Sequence, residues 1–461
     1  MSSATCRSPS PPVIAIVGGG ASGVLVASHL LRAHCNATVT LIEKSGRVGA
    51  GVAYATTRAE HLLNVTAGGM SAFEDDPGDF VRFLCAQPGA QSPAALRDRY
   101  AQRRQFGAYL RDTLQRSSEG HSGHLGVVSD AVVAIEPGQP HRVQLRSGAV
   151  LQADAVVLAL GNWPRRLPHG TPAPGAGSVL RGWDYPAIAA IAPDRDVMIA
   201  GSGLSMVDAV LTLASNRHRG AIHVASRHGL LPQAHTTHGE VRIDLEAFAR
   251  LPLRQRVRHL RSLARRAAAA GTPWQWVMDA LRQHNARLWQ SLSPTDQQRF
   301  LRHAARQWDV HRHRIPRSAA ATVQKLLATG QLQRHAARIA AVASAGNRLT
   351  VSLQPRRGNA HTLRADCLID CIGIQPDLRK VDAPLVRNMF ASGSIRRGPH
   401  GIGLATGAAG EVLDANGKPQ PRMYALGSVR IGSLWESVAV PELRKQAAAI
   451  AARLLADGAD G

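Results

Sequence analysis

Residues 13–23 read Val-Ile-Ala-Ile-Val-Gly-Gly-Gly-Ala-Ser-Gly, an apolar run that ends in a glycine-rich turn. The run predicts a buried strand, and the segment from Ala21 to about His34 has apolar side chains at helical spacing. A second apolar run over residues 38–42 predicts the next strand, and Glu43 follows it. Strand, glycine turn, helix, strand and terminal acid together are typical of a dinucleotide-binding βαβ unit.

The residues of this turn each have a task in such a unit. Gly18 permits the tight turn, Gly20 lets the backbone approach a pyrophosphate, and Gly23 lets helix and strand pack closely. The phosphates then lie at the positive end of the helix, beside Ser22. Glu43 is placed to accept hydrogen bonds from the hydroxyls of the adenosine ribose.

A second unit of this kind begins at Gly201-Ser202-Gly203. The position that corresponds to Glu43 holds Ser226, and Arg227 follows it. A carboxylate would repel a 2′-phosphate, whereas a hydroxyl beside a guanidinium would bind one, so the pattern favours NADPH over NADH. Met206 replaces the third glycine, which predicts looser packing of helix on strand. A structural βαβ unit without a ligand is the alternative for this segment.

Two such units in one chain predict an α/β fold with two Rossmann-like dinucleotide-binding domains, one for FAD and one for NAD(P), and a helical insertion. Helical patterns rich in tryptophan and arginine make the insertion a lid or a substrate wall. The predicted boundaries are residues 13–165 and 374–461 for the FAD-binding domain, 190–239 and 331–373 for the NAD(P)-binding domain, 162–194 for a linker, 240–330 for the helical insertion, and 1–12 for a disordered leader.

The net charge of +23 is not read as a nucleic-acid signal, because only five of the 55 basic residues are lysine and the arginines are scattered. No apolar run approaches the ~18 residues that span a bilayer, and the N-terminus lacks the apolar segment of a signal peptide. We therefore expect a cytoplasmic protein without a membrane span. The five cysteines form no zinc-like or dithiol pair, and neither His311 nor His313 has further ligands in its segment, so no metal site is expected.

Several strings along the chain resemble one bacterial family of FAD-NAD(P)-binding flavoproteins, which is related to N-hydroxylating monooxygenases. The strings are Gly51-Val52-Ala53-Tyr54, His61-Leu62-Leu63-Asn64-Val65, Met70-Ser71-Ala72-Phe73, Trp308-Asp309-Val310-His311-Arg312-His313-Arg314-Ile315, Leu434-Trp435-Glu436-Ser437 and Val440-Pro441-Glu442. The resemblance implies FAD in the first site, NAD(P)H in the second and the flavin ring between them. It implies no particular substrate.

Further cofactor-binding candidates come from these strings and from the strand ends. Asn64 and Met70 lie in the glycine-rich stretch after Glu43, and Gly161 ends an apolar strand that returns to the first site. Gly427 ends the C-terminal strand, where related flavoproteins place an aspartate next to hold the ribityl chain. This chain has Ser428 there, which predicts weaker retention of FAD.

The expected function is that of an oxidoreductase. The first hypothesis is a monooxygenase in which NADPH reduces FAD and a flavin hydroperoxide oxygenates a small nucleophilic substrate. The second is an NAD(P)H-dependent reductase or dehydrogenase that passes electrons to a small acceptor or a partner protein. The third is a non-catalytic flavin-binding sensor. The sequence identifies no catalytic acid or base.

Overall fold

The computed structural model describes residues 11–34, 36–119, 124–173, 178–237 and 239–459. The predicted leader therefore lies almost wholly outside the described residues. The N-terminal part contains β1 Val13–Val17, α1 Ala21–Arg32, β2 Thr38–Ile42, α2 Gly51–Tyr54, α3 Asp79–Cys85, α4 Pro93–Arg97, α5 Arg103–Ser118, β3 His124–Val128, β4 Val132–Glu136, β5 His141–Leu145, β6 Val150–Ala153 and β7 Ala155–Leu158.

The middle of the chain begins with β8 Val179–Arg181, α6 Tyr185–Ala189, β9 Val197–Ala200, α7 Leu204–Ser215 and β10 Ile222–Ser226. A run of helices comes next: α8 Leu245–Arg250, α9 Leu253–Ala269, α10 Gln275–Leu281, α11 Asn285–Gln290, α12 Pro294–His303, α13 Ala305–Arg312 and α14 Arg317–Ala328. The chain then returns to strands β11 Leu332–Ala345, β12 Arg348–Pro355, β13 His361–Ala365 and β14 Cys367–Asp370.

The C-terminal part contains α15 Pro384–Ala391, β15 Glu411–Leu413, β16 Pro419–Ala425, α16 Ile431–Leu434 and α17 Val440–Ala459. Its strands join the first sheet, whose order is β15-β16-β7-β1-β2-β3. Strand β1 pairs in parallel with β2 and β7, and β16 pairs in parallel with β7. The carboxyl ends of these strands meet at one edge, which is where open α/β sheets bind ligands.

Apolar side chains on both faces of this sheet explain why it is buried. Residues 14–17 of β1 are each at most 6% exposed, as expected of a parallel strand covered on both sides. Helix α1 packs against α5 and α17 on one face. On the other face, β4, β5 and β6 form a small antiparallel sheet that packs with α15. The first sheet is thus built from strands of both ends of the chain.

The second sheet has the order β13-β12-β11-β10-β9-β14-β8. Strands β8, β14, β9 and β10 are parallel, and β11 continues into an antiparallel hairpin with β12. Strand β8 and helix α6 lie inside the segment 162–194 that the sequence pattern assigned to a linker, so that prediction is wrong there. Because proline and glycine are frequent at both ends of this segment, the sequence pattern predicted no strand there. The short strand Val179–Arg181 pairs with β14 at the edge of the sheet.

The segment predicted as an insertion is helical, and most of it stands apart from both sheets. Its last helix is different: Ala319 and Val323 of α14 are each 4% exposed and lie in the core that surrounds α7. Helix α14 is therefore the crossover helix of the second domain, and the separate unit ends before it. Among the described residues, no helix is long and apolar enough to cross a membrane.

Candidate functional site

The first glycine turn leaves β1 and enters α1 with no space for side chains at two of its positions. Gly18 has φ +112°, and a Cβ there would lie 2.2 Å from the Ala159 carbonyl oxygen. A Cβ on Gly23 would lie 1.9 Å from the Gly18 carbonyl oxygen. Both positions need glycine because the surrounding backbone already fills the space. At Gly20 a Cβ would meet only the Gly51 Cα, at 3.6 Å, so this glycine faces an opening.

The opening at Gly20 has the features of a phosphate cradle. Gly20 is the N-cap of α1, no side chain caps the helix, and its first turn holds no acidic residue. The first N–H groups of α1 are thus available, and the positive end of the helix dipole favours an anion. The structure fits a pyrophosphate at this place.

Glu43 is held at the rim of the same opening. One carboxylate oxygen, Oε2, accepts a hydrogen bond of 2.8 Å from the Gly19 N–H. The other, Oε1, accepts 2.9 Å and 2.7 Å bonds from the N–H and hydroxyl of Ser45. A carboxylate accepts several bonds at each oxygen, so Glu43 retains capacity for ribose hydroxyls. Its predicted role stays a prediction with supporting geometry.

The C-terminal strand brings Gly427 and Ser428 to the first turn. Gly427 has φ +78°, and a Cβ on it would lie 3.1 Å from the Ser22 hydroxyl oxygen. The Ser428 hydroxyl donates a hydrogen bond to the carbonyl oxygen of Gly161. Four predicted site residues therefore meet here, although they come from three distant parts of the sequence. Ser428 uses its single hydroxyl proton on the protein, which leaves it only as an acceptor for a ligand.

Asn64 and Met70 have different surroundings. The Asn64 carbonyl oxygen is 3.0 Å from Nε2 of His235, which belongs to the second domain. His235 also stacks on the Tyr100 ring with 5.0 Å between ring centroids. Met70 is 3% exposed and packs in the first hydrophobic core. Asn64 thus lies at the meeting point of the domains, whereas Met70 is almost fully buried, and its contact with a cofactor stays a prediction.

The second turn repeats the first two glycines of the pattern, Gly201 and Gly203, and has Met206 in place of the third. Gly201 has φ +100°, and a Cβ there would lie 2.2 Å from the Cys371 carbonyl oxygen. At Gly203 a Cβ would meet nothing within 4 Å, and Gly203 is the uncapped N-cap of α7. Met206 is fully buried in the core of the second domain. A methionine at the third position fills space between helix and sheet, and the anion-binding end of the helix remains open.

The end of β10 differs from the end of β2. Ser226 Oγ lies 2.7 Å from the Ser202 hydroxyl and accepts a 3.1 Å bond from the Gly229 N–H. Arg227 is exposed beside it. Burial, with the charges of Arg227 and Arg306 in support, lowers the pKa of Arg165. The charges of Arg227 and Arg306 therefore lie within electrostatic range of Arg165, and sequence reasoning found only Arg227.

A buried polar cluster joins the two nucleotide domains. Asp208 of α7 forms a 2.7 Å ion pair with Arg103, and both side chains are largely buried. His61 Nε2 is 2.9 Å from the Thr212 hydroxyl, and its Nδ1 is 2.7 Å from the Thr56 hydroxyl. The string around His61 that carries the family resemblance is therefore a contact between domains. Sequence reasoning had no signal for these partners, since Arg103 and Asp208 lie in different domains.

The C-terminal loop joins the helical unit to the first domain. Trp435 and Glu436 have φ values of +48° and +52°, a left-handed conformation that costs side-chain-bearing residues energy. The Glu436 carboxylate is 2.9 Å from Nε of Arg312 and also accepts hydrogen bonds from Asn285 and Trp308. Two of the strings that carry the family resemblance, residues 308–315 and 434–437, therefore contact each other in this cluster.

Two nucleotide-binding clefts in one chain, joined by buried contacts and accompanied by a helical unit, define a two-dinucleotide-binding-domain architecture. Residues 15–163 match the model of a family described as FAD-NAD(P)-binding. The description of this family names the two cofactor types that the sequence predicts for the chain, FAD and NAD(P). A search of curated proteins returned no significant match.

Solved structures with the same fold extend over nearly the whole chain. Ornithine N-hydroxylase from Kutzneria sp. 744 is 15% identical with a TM-score of 0.65, covering 98% of this chain and 100% of that one. L-lysine 6-monooxygenase from Pseudomonas syringae is 18% identical with a TM-score of 0.68, covering 96% and 99%. Bacillithiol disulfide reductase from Staphylococcus aureus is 15% identical with a TM-score of 0.57, covering 97% and 98%. These likenesses confirm the predicted fold class.

Proposed function

We propose that this protein is an FAD-dependent monooxygenase that NADPH reduces and that oxygenates a small nucleophilic substrate. The observation that carries the proposal is the contact of His235 with Asn64, 3.0 Å from Nε2 to the carbonyl oxygen. It sets the loop after the second cleft against the loop beside the first cleft. Two cofactors held in these clefts would meet there, which is what hydride transfer between them requires.

The residues of this chain have clear tasks in such a reaction. The N-terminal ends of α1 and α7 would hold the phosphates of FAD and NADPH, and Glu43 would hold the ribose of FAD. Arg227 would select NADPH by its 2′-phosphate. The helical unit would exclude water from the meeting point. The flavin, when bound, supplies the redox chemistry and the reaction with oxygen.

The cysteines favour oxygenation over disulfide reduction. Cys367 and Cys371 are 7% and 6% exposed, and both lie in the core of the second domain. Burial raises the pKa of Cys367 to about 12 and also raises the pKa of Cys371 well above its ordinary value, so neither thiol is reactive near neutral pH. The higher TM-scores of the two hydroxylases than of the disulfide reductase support the same choice.

The test has two steps. Under argon, NADPH should bleach the bound flavin, whereas a non-catalytic sensor would stay oxidised. The reduced protein is then mixed with ¹⁸O₂ and a panel of small amines, thioethers and amino acids. A product with one ¹⁸O atom supports the monooxygenase. Fast anaerobic electron transfer to a quinone or disulfide, with no labelled product from the panel, would replace it with the reductase.

Location and partners belong to the same proposal. We expect a small-molecule substrate, a cytoplasmic location and no nucleic-acid partner. The free thiols of Cys85, Cys367 and Cys371 are typical of a reducing compartment. Fractionation of the producing cell tests the location, and a salt-dependent mobility shift with a random duplex would contradict the last expectation.

A further inference from the structure

Helix α9, Leu253–Ala269, has a strongly positive outer face. Residues 247–278 contain seven arginines and no aspartate or glutamate. One arginine of the helix points inward: Arg256 is 5% exposed and donates hydrogen bonds of 2.7 Å to the main-chain oxygens of Leu251 and Leu288. The inner face of α9 is thus bonded to the rest of the helical unit, whereas the other arginines of the helix are exposed.

Four of the exposed arginines form a straight row along the helix, the arginine row. They follow one another at intervals of four, three and four residues: Arg254, Arg258, Arg261 and Arg265. The α-helical repeat places these positions within about 60° of the helix circumference, along about 16 Å of its axis. None of the four forms an ion pair or a hydrogen bond with another described residue. Arginines that are scattered in the sequence are therefore aligned here in the fold.

The carboxylates of the neighbouring helices have other partners. Asp296 of α12 accepts a 3.0 Å hydrogen bond from the Leu253 N–H and pairs with Arg299 at 3.1 Å. Glu246 of α8 pairs with Arg287. Like charges three and four residues apart destabilise a helix. The arginine row therefore destabilises α9 in the free protein, and an anionic partner would relieve that repulsion.

The apolar residues of α9 do not favour a lipid surface as this partner. Helices that lie in a membrane interface bury a large apolar face in the headgroup region. In α9 the leucines are on the inner side, where Leu260 packs against the small core of the helical unit and Leu263 is partly buried. No large apolar residue of this helix is exposed.

Two other anionic partners fit the row less well than an acidic protein does. Binding of single-stranded nucleic acid uses aromatic side chains on which bases stack, and α9 contains no Phe, Tyr or Trp. A second copy of this chain carries the same net charge of +23, so the two copies would repel each other. A protein with a row of carboxylates has neither disadvantage.

We propose that the arginine row is a docking surface for an acidic helix of another protein. Asp or Glu at the same spacing on that helix would place a carboxylate opposite each guanidinium. Arginine suits this contact better than lysine, because its planar guanidinium donates two parallel hydrogen bonds to one carboxylate. None of the residues described around the two nucleotide-binding clefts belongs to α9, so the docking surface does not rest on the proposed function.

The experiment measures binding of a helical peptide to the flavin-loaded protein. The probe is a fluorescein-labelled peptide of alanine and glutamate, held helical by a side-chain crosslink, with four glutamates at intervals of four, three and four residues. The control peptide has the same composition, with its glutamates spread around the helix. Fluorescence anisotropy at low salt should show that the first peptide binds about fivefold more tightly than the second. Added salt should reduce this difference, because it screens exposed charges.

Variants in the middle of the row then test whether these arginines carry the preference. Arg258→Glu combined with Arg261→Glu should remove it, and this protein should instead prefer a peptide with lysine in place of each glutamate. Arg258→Gln combined with Arg261→Gln removes the charge without reversing it and should bind both glutamate peptides equally. Arg356→Glu combined with Arg357→Glu is the matched control, because it changes the net charge by the same amount in the exposed turn after β12.

Each outcome decides the inference. A preference that only the variants in the row lose, with unchanged melting temperature and flavin content, supports the docking surface. Equal binding of the two peptides by the wild type, or an equal loss in the control variant, would mean that overall charge governs binding and would overturn it. Binding to phosphatidylglycerol vesicles or to an RNA duplex that the row variants lose, without any peptide preference, would overturn it in favour of a lipid or a nucleic acid.

Discussion

The two glycine turns have the same backbone plan, but the helices that begin there pack differently. Gly18 and Gly201 both have positive φ and both press against a backbone carbonyl oxygen of a neighbouring strand end. At the third position, Gly23 lies against the Gly18 carbonyl oxygen, where no Cβ fits, whereas α7 has Met206, whose side chain is fully buried. The comparison shows that the turn and the helix end form the anion-binding geometry, while close packing of the helix is a separate property.

A substitution at the third glycine of the first turn, Gly23, should have the largest effect on stability and on flavin content. Gly23→Ala places a Cβ 1.9 Å from the Gly18 carbonyl oxygen, so the turn cannot keep its shape. We expect destabilisation beyond the ~1–3 kcal/mol of ordinary overpacking and colourless protein. Purification and the ratio of flavin absorbance to protein absorbance measure it.

The reverse change, Met206→Gly, is the matched control for that position. It removes a buried side chain and should destabilise the second domain by about 3 kcal/mol while flavin content stays near the wild type. Yellow Gly23→Ala protein at full stoichiometry would mean that the two turns do not differ in packing as described.

Helices α1 and α7 also differ in the polarity of one buried residue near their N-terminal ends. Leu25 of α1 is buried among apolar groups, whereas Asp208 in the corresponding place of α7 pairs with Arg103 of the other domain. Asp208→Asn leaves Arg103 buried without a countercharge and should cost about 3 kcal/mol. Urea denaturation measures the loss.

The pair Arg116 and Asp112 is the control for this prediction, because both side chains are about half exposed. Asp112→Asn should change stability by less than ~0.5 kcal/mol. Equal losses in the two variants would show that the contact between the domains is no stronger than a surface ion pair.

The residues at the ends of β2 and β10 should differ in the cofactor that they bind. Arg227→Ala removes a charge-assisted bond to the 2′-phosphate, worth on the order of 1.5 kcal/mol at an exposed site, or about tenfold in affinity. The Michaelis constant for NADPH should rise, and that for NADH should stay almost unchanged, as should bound FAD. Flavin reduction rates with each cofactor measure this.

Arg219→Ala, at an exposed arginine of the same domain, provides the comparison. Wild-type preference for NADH, or equal losses with both cofactors, would sink the assignment of Arg227. A preference that persists in Arg227→Ala would assign it to Arg165 or Arg306, whose charges lie nearby.

The smallest effect is expected at Ser428, which closes the first cleft through its bond to Gly161. Ser428→Ala loses one hydrogen bond, and FAD retention should fall by about 1 kcal/mol, or roughly fivefold. Fluorescence of released flavin on dilution measures it. Ser118→Ala removes a hydroxyl bond to a main-chain carbonyl far from the site and should release no additional flavin.

The fold was predictable because its signals are local. The apolar runs that became β1, β2 and β9 are short and continuous, and a glycine turn directly follows β1 and β9, so strand, turn and helix are all readable from residues next to each other. The same reasoning missed Val179–Arg181, since a three-residue strand has too few positions for a pattern. It also assigned α14 to the insertion, because a helix carries no local mark of which domain it packs on.

The candidate site was predictable in part for the same reason. Gly18, Gly20, Gly23, Glu43 and Gly203 were found from spacing, and the structure places them around the two openings. The contact of His235 with Asn64 was not, because the two residues are 171 positions apart in the sequence.

The position of Glu436 in the sequence determines the order in which its cluster can form during synthesis. Asn285, Trp308 and Arg312 leave the ribosome well before Glu436, their shared acceptor, has been translated. At about 5–20 residues per second, the helical unit spends roughly 6–30 s with those groups unpaired. The helical unit can therefore complete its contacts only after Glu436 has been translated. A ribosome that stalls in that interval would expose the incomplete cluster to chaperones and proteases.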